Sequence, residues 1–365
     1  MKKVFLTFLC CCLVFLFSYS DTVYLKNGKQ IKGTIIEESK EYVKIEFSGV
    51  TLTYWMDEVS TLSKEDVSVG VNDSTHTISN IANKSAPIIS VSRSQKQGKS
   101  FLWKVKSQNS TVYLLGSIHL GRPDFYPLDR VIESAFSKSD FLVVEADINA
   151  VDISTLQSVM EEAVYFDGST LKDHLSSKTF RLAEQKMNEM GMSIEQMIVF
   201  KPWFLALNIE MIGYSKLGLD PTYGIDIYFL NKAKSNKKIV ELESVEFQIK
   251  LLGSFNEKEQ EAFLLSTLVD LDIVQDKIDK MIDLWKVGDA LGMEQVFLEG
   301  IKKDPDLFSV YNKLLFKRNK GMVSTIRNFL NSRDIYFVVV GVAHLIGEQG
   351  IVNILEKEGY SVEQL

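Results

Sequence analysis

One local frame occurs twice in this chain and constrains its fold more than any other feature: an apolar run that ends in Gly-x-x-His. The first is Val112-Tyr-Leu-Leu-Gly116-Ser-Ile-His119 and the second is Val338-Val-Val-Gly341-Val-Ala-His344. Short apolar runs bounded by glycine read as strands buried on both faces, the kind that occur where helices cover a parallel sheet. A polar residue just past such a strand stands at the sheet edge where open α/β folds place their ligands. The glycine is expected to permit a tight turn, with the imidazole three residues on reaching over the edge.

The surrounding pattern agrees with an α/β (α+β) domain with a central sheet and a large helical insertion. Phe101 to Val105 and Thr111 to Leu115 predict a hairpin, Pro127 to Phe136 a helix begun by its proline, and Phe141 to Glu145 a further strand. From Asp152 to Asn331 the apolar residues recur at helical spacing, as in Trp203, Leu207, Met211 and Ile212, interrupted by a candidate strand at Ile239 to Leu242. Tyr336 to Val340, a helix near Gly350 to Lys357 and a strand by Val362 close the chain.

The first hundred residues have a different texture. Lys2 and Lys3 precede the apolar run Val4 to Phe17, and Ser18-Tyr19-Ser20 supplies small residues at the −3 and −1 positions, so residues 1–20 are expected to be a signal peptide cleaved before Asp21. Export would end in the periplasm, the cell envelope or outside the cell, with no membrane span after cleavage, since the apolar run is too short to cross a bilayer. The chain's three cysteines, Cys10 to Cys12, would leave with the leader, which excludes thiol nucleophiles, disulfides and cysteine metal ligands. Residues 21–63 alternate at period two with a turn at Asn27-Gly28, and resemble a small Sm-like or SH3-like barrel. Residues 64–99 are rich in Ser, Asn, Lys and Gln and read as a flexible linker. Domain four, residues 100–365, carries the repeated frame.

The formal charge of −7, reaching −9 once Lys2 and Lys3 leave, provides no basic footprint, which sets nucleic acid aside as a partner. No phosphate-binding loop, dinucleotide fingerprint or Gly-x-Ser-x-Gly elbow is present. Chemistry therefore rests on strand-end polar groups. Glu145 ends Phe-Leu-Val-Val-Glu and Glu243 ends Ile-Val-Glu-Leu-Glu, so both are expected at the edge that holds His119 and His344. Two histidines and a carboxylate form a common hydrolytic metal set with an open position for water, and a second carboxylate can take that water's proton. Equally, one imidazole can act as general base while the other steadies an oxyanion, and a strand-end histidine or glutamate can do no more than cap a turn or helix. His76 reads as a solvated linker residue, His174 as a cap or an exposed side chain, and the runs Asn256 to Gln260 and Lys234 to Lys238 as solvated faces and turns. Gly341, Gly347 and Gly350 lack the Lys-Ser/Thr of a phosphate cradle.

The two Gly-x-x-His blocks, the second continuing Leu-Ile-Gly347-Glu-Gln-Gly350, resemble the first and last motifs of the TraB/PrgY/GumN family. Val144-Glu145-Ala-Asp147, Tyr223-Gly224-Ile-Asp226, Leu242-Glu243-Ser-Val-Glu246-Phe-Gln248 and Arg318-Asn319-Lys-Gly-Met322 follow in the family's order, over about Phe101 to Leu365. That family is similar to the Tiki metalloproteases and more distantly to erythromycin esterase and ChaN proteins. The resemblance implies an erythromycin esterase/ChaN-like fold and a divalent-metal (Zn, Mn or Co) peptidase. It implies His119, His344 and Glu145 as metal ligands, Glu145, Glu243 and both histidines as catalytic groups, and Asp226 and Arg318 as supporting or substrate-facing ones. The substrate would be a peptide or small molecule. Two other functions fit the same residues: a peptide- or pheromone-sequestering protein, and a metal-free esterase with histidine as base.

Overall fold

A computed structural model describes residues 21–26, 30–47, 50–64, 99–234, 236–298, 301 and 304–365. The expected signal peptide, the three cysteines, the Asn27-Gly28 turn, the linker through residue 98 and His76 lie outside the described residues. Among the described residues no helix is long and apolar enough to cross a membrane. The chain divides into two compact units.

The N-terminal unit is one antiparallel sheet: β1 (Asp21–Leu25), β2 (Gln30–Glu38), β3 (Tyr42–Phe47), β4 (Val50–Trp55) and β5 (Val59–Ser63), in spatial order β4-β3-β2-β1-β5. Period-two alternation puts Val23, Val43, Ile45 and Val59 into one core, with Leu25, Ile35, Tyr54 and Met56 against it. The β2–β3 register shifts between Ile35 and Glu37, a bulge that bends and further twists the strand.

The C-terminal unit is a mixed α/β domain built on six strands. These are β6 (Leu102–Lys106), β7 (Thr111–Ser117), β8 (Phe141–Val144), β9 (Lys238–Glu241), β10 (Ile335–Gly341) and β11 (Ser361–Gln364), in order β11-β6-β7-β10-β8-β9. The β6–β7 and β6–β11 pairs are antiparallel, whereas β7, β10, β8 and β9 all run parallel. The two strands bearing the repeated frame are thus neighbours at the centre of the sheet. Val112 to Ser117 and Tyr336 to Gly341 are buried without a break, as continuous apolar runs demand. Because the four strands are parallel, all their C-terminal ends fall on one edge. Pairing continues past β8 and β9 through Leu242 N–H to Val144 O and Glu243 N–H to Glu145 O (2.9 and 2.8 Å), which brings the two glutamates level.

Helices between β8 and β10 form the insertion, and three sequence expectations need correction there or at its borders. The first helix runs from Arg130 to Lys138, not from Pro127, because Asp129 accepts the Val131 N–H and caps it. The expected helix at Trp203 to Ile212 is Pro202–Lys216, and Trp203 to Met211 are all buried, because the helix Glu257–Asp270 and other elements enclose it. The 256–260 run is solvated only at Asn256, Glu257 and Lys258, while Glu259 and Gln260 are buried. Asn256 and Glu259 form a reciprocal capping box, and Glu259, 2% exposed, meets Lys313 Nζ at 2.7 Å. Finally, neither glycine of the repeated frame turns the chain through positive φ. A Cβ at Gly116 would lie 2.7 Å from the Phe101 ring and 3.3 Å from Val342 Cα, so close packing requires this glycine.

Candidate functional site

Beyond β7 the chain crosses the edge as Ile118 and His119 and docks on the segment 220–226. Gly121 and Asp220 exchange backbone hydrogen bonds, and Ile225 N–H donates to Ile118 O (3.1 Å). Gly224 makes this approach possible, since a Cβ there would stand 2.3 Å from the His119 carbonyl oxygen. Two residues on, Asp226 Oδ1 lies 3.1 Å from His119 Nδ1. Burial works against a charged His119, but the Asp226 carboxylate, helped by Glu145, raises it above the ordinary histidine value.

Beyond β10 the chain turns at once into a short helix, Val342–Leu345, and His344 is fully buried. Its Nδ1 is bonded to Asn319 Oδ1, and its Nε2 lies 3.8 Å from Glu145 Oε2. Burial first, then the positive charges of Arg318 and His119, hold His344 well below the ordinary value, so it is neutral at pH 7.

Arg318 organises the other half of the edge. It belongs to the helix Lys317–Leu330, which follows a π-helical turn at Asn312–Phe316, and its Nη1 donates to Leu314 O at 2.8 Å. Nε donates to both oxygens of Glu243 (3.0 and 2.9 Å), and Nη2 to Glu243 Oε2 (2.7 Å) and Glu145 Oε2 (2.8 Å). The planar guanidinium thus clamps two carboxylates that its own helix does not carry. Glu145 Oε1 accepts the Gly341 N–H at 2.6 Å, tying β8 to the second histidine loop. Gln248 Nε2 makes longer bonds to Glu145 (3.4 Å) and Glu243 (3.3 Å). Burial pushes Glu145 up to about 7, against the pull of Arg318 and His119.

All six candidate residues from the sequence therefore lie at or behind one sheet edge: His119, Glu145, Glu243 and His344 follow the four strands, with Asp226 and Arg318 in contact with them. Reasoning from sequence assigned no role to Asn319 or Gln248, although both stand inside motif blocks, one residue after Arg318 and five after Glu243. His174 lies elsewhere. It stacks on Tyr165 (centroids 4.1 Å apart) between Ser169 Oγ (2.8 Å) and Glu257 (3.1 Å), a locally satisfied side chain.

The fit of this edge to a metal ion is uneven. Each histidine has Nδ1 against a side-chain oxygen, the outer contact that fixes a metal-ligating imidazole with Nε2 presented. Glu145 is a poorer third donor, since Arg318 and Gly341 already take its two oxygens. Among the described residues no group of three or more His, Cys, Asp or Glu is placed to hold an ion. The residues present offer two imidazoles whose Nδ1 atoms are already held, with Glu145 as a third donor only after it leaves Arg318.

A buried, arginine-clamped pair of glutamates flanked by two strand-end histidines on a mixed α/β sheet defines the class of protein. The chain belongs to the TraB/PrgY/gumN family, whose model matches residues 101–364. It is 28% identical over 250 residues to the uncharacterized protein YbaP of Escherichia coli, covering 68% of this chain and 88% of the relative. It is 24% identical over 325 residues to a protein of Nematostella vectensis named a metalloprotease TIKI homolog, covering 74% of this chain and 68% of the relative. A second metalloprotease TIKI homolog, from Amphimedon queenslandica, is 34% identical over only 56 residues, 15% of this chain and 11% of the relative. No solved structure matches the chain significantly.

Proposed function

We propose that this chain is a metal-dependent hydrolase of peptidase type, exported from the cytoplasm by its N-terminal leader. One observation carries the reading: His119, Glu145, Glu243 and His344 converge at the C-terminal ends of four parallel strands around buried Arg318. Likeness to proteins named metalloproteases supports it. His119 and His344 are the residues that would hold a zinc, manganese or cobalt ion. Such an ion, when bound, polarises a carbonyl and lowers the pKa of water.

The chain's own groups do the rest. Glu145 is the proton carrier, because it is buried beside His344 and within reach of the His119 charge. Arg318 keeps Glu145 and Glu243 from repelling each other and orients Glu145 through Nη2. Asp226 holds the His119 ring from behind. The five-strand N-terminal sheet is an accessory barrel-like module, and the main domain shares the erythromycin esterase/ChaN-like architecture.

A second reading, metal-free ester hydrolysis with a histidine as base, is favoured by the engagement of both glutamates with Arg318. Metal content by mass spectrometry, on protein stripped by mild chelation and reloaded with zinc, manganese or cobalt, separates the two. About one ion per chain, lost in the His119→Ala/His344→Ala double variant, together with cleavage within a broad peptide library, is expected. Absence of a specific ion with chelator-resistant ester turnover would establish the second reading. Peptide capture without cleavage, unchanged in the double variant, would overturn both in favour of a binding protein.

A further inference from the structure

We infer that Asn319 is a positioning residue that fixes His344 as its Nδ1–H tautomer and so presents the Nε2 lone pair toward Glu145. The inference starts from a backbone carbonyl. Gln349 O can only accept, and it takes the Asn319 Nδ2–H at 2.7 Å. The amide is therefore oriented by its chemistry, with Oδ1 toward His344 Nδ1. An amide oxygen also only accepts, so the ring must carry hydrogen on Nδ1 whenever this contact is kept.

The rival arrangement has Nε2–H facing Glu145 and Nδ1 accepting from a flipped Asn319. It would set Asn319 Oδ1 against Gln349 O, two acceptors in contact inside the protein. Asn319 is 1% exposed and His344 is 0%, so water cannot relieve that clash from their side, and only the exposed Gln349 could offer it a path. Both ends of the relay are built in. Arg318, bonded to Leu314 O, Glu145 and Glu243, holds the helix that carries Asn319. On the other side, Gly347 adopts φ +81° and its carbonyl accepts the Gly350 N–H at 3.0 Å, a turn that presents the Gln349 carbonyl inward. A Cβ at Gly350 would stand 2.4 Å from Ile346 O and 2.5 Å from Leu345 O. The glycine pair after the second histidine, too sparse for a phosphate loop, thereby acquires a purpose: it aims an acceptor at Asn319.

The inference rests on the hydrolase reading only for its effect on turnover; the tautomer is measurable without substrate. The experiment is long-range proton–nitrogen correlation on the full chain, labelled with nitrogen-15 histidine and stripped of metal, with His344 assigned by its loss in His344→Gln. Wild type is expected to show protonated Nδ1 and unprotonated Nε2, and the reverse pattern overturns the inference. Asn319→Asp retains the acceptor toward Nδ1 and is expected to retain the tautomer, with a lower melting temperature because its second oxygen then faces Gln349 O. Asn319→Leu removes it and is expected to give Nε2–H or a mixture, with kcat reduced roughly 10- to 100-fold and KM little changed. A pure Nδ1–H signal in Asn319→Leu would also overturn the inference. If that variant does not fold, the wild-type and Asn319→Asp spectra decide the matter. Intact tautomers with no turnover in any form would sink the hydrolase reading alone and leave the Asn319 assignment standing.

Discussion

The two Gly-x-x-His segments are alike in sequence and opposite in physics. After β7, His119 lies in a loop docked against the segment that supplies Asp226, its side chain 14% exposed and its partner a carboxylate. After β10, His344 lies in a short helix, fully buried, with a neutral amide as partner. A carboxylate favours the imidazolium, whereas an amide in a dry setting beside Arg318 disfavours it. A repeated motif therefore places two rings at one edge, and the residues behind each ring decide what the ring can do.

What the two loops share is Arg318, and removing it is the most damaging way to break the comparison. Arg318→Met would leave buried Glu145 and part-buried Glu243 together with only His119 as a counter-charge, a loss of about 3–5 kcal/mol by the behaviour of broken buried ion pairs. Thermal or urea unfolding at pH 7 measures it. A loss below about 1 kcal/mol would mean that the glutamates find another arrangement and that the two loops do not depend on a common clamp.

Much of this site was legible because strand-end polar groups can be read from a period change: Glu145 and Glu243 each follow an apolar run, and parallel strands must end on one edge. The difference between the histidines was not legible, because it depends on Asp226 and Asn319, which come to the rings from helices distant in sequence. Gly224 shows the same limit. Its motif places it beside Asp226, but only the 2.3 Å approach to the His119 carbonyl explains why it must lack a side chain. Helix Pro202–Lys216 was legible as a helix but not in its burial, since a 3.6-residue spacing of apolar groups is equally present when a helix is buried all round.

Loop-specific variants sharpen the comparison at the next scale down. Asp226→Asn keeps the shape behind His119 but removes the charge. It is expected to lower turnover, or affinity for the ion, roughly 10- to 100-fold while leaving the His344 resonances in place. Equal disturbance of both rings would show that they act as one unit. The pH dependence of stability should then separate them in sign. His119, raised by Asp226, stabilises the fold fully below its unfolded pKa, and that contribution fades as pH rises through its folded value. His344, lowered by burial and Arg318, costs nothing above its unfolded pKa and destabilises the fold as pH falls toward its folded value. Melting curves of metal-stripped protein between pH 5 and 8 should therefore find His119→Gln most harmful at the acid end and His344→Gln least harmful there. The same pH trend in both variants would contradict the assignment of one charged and one neutral ring.

Gly224→Ala perturbs the first loop by sterics alone. The added methyl meets backbone, not a flexible side chain, so the loop must retreat, at roughly 1–3 kcal/mol. A lower melting temperature with the His119 signals displaced and those of His344 unchanged is the expected result. An unchanged melting temperature would show that the 118–121 loop yields easily and does not hold His119 in register with Asp226.

The smallest effect expected comes from behind the first glycine. Trp285 Nε1 donates to Gly116 O at 2.7 Å, in a place where both groups are buried. Trp285→Phe keeps an aromatic ring near Phe125 but removes the donor, at about 1 kcal/mol by the usual net worth of such a bond. Since β7 delivers His119 while β10 delivers His344, the change should reach only the first ring: a small loss of stability, a modest shift of the His119 signals and none for His344. A shift at His344 of equal size would mean that strain crosses the β7–β10 ladder as a unit, and the two loops would then have to be treated as one rigid edge, not as two independently tuned halves.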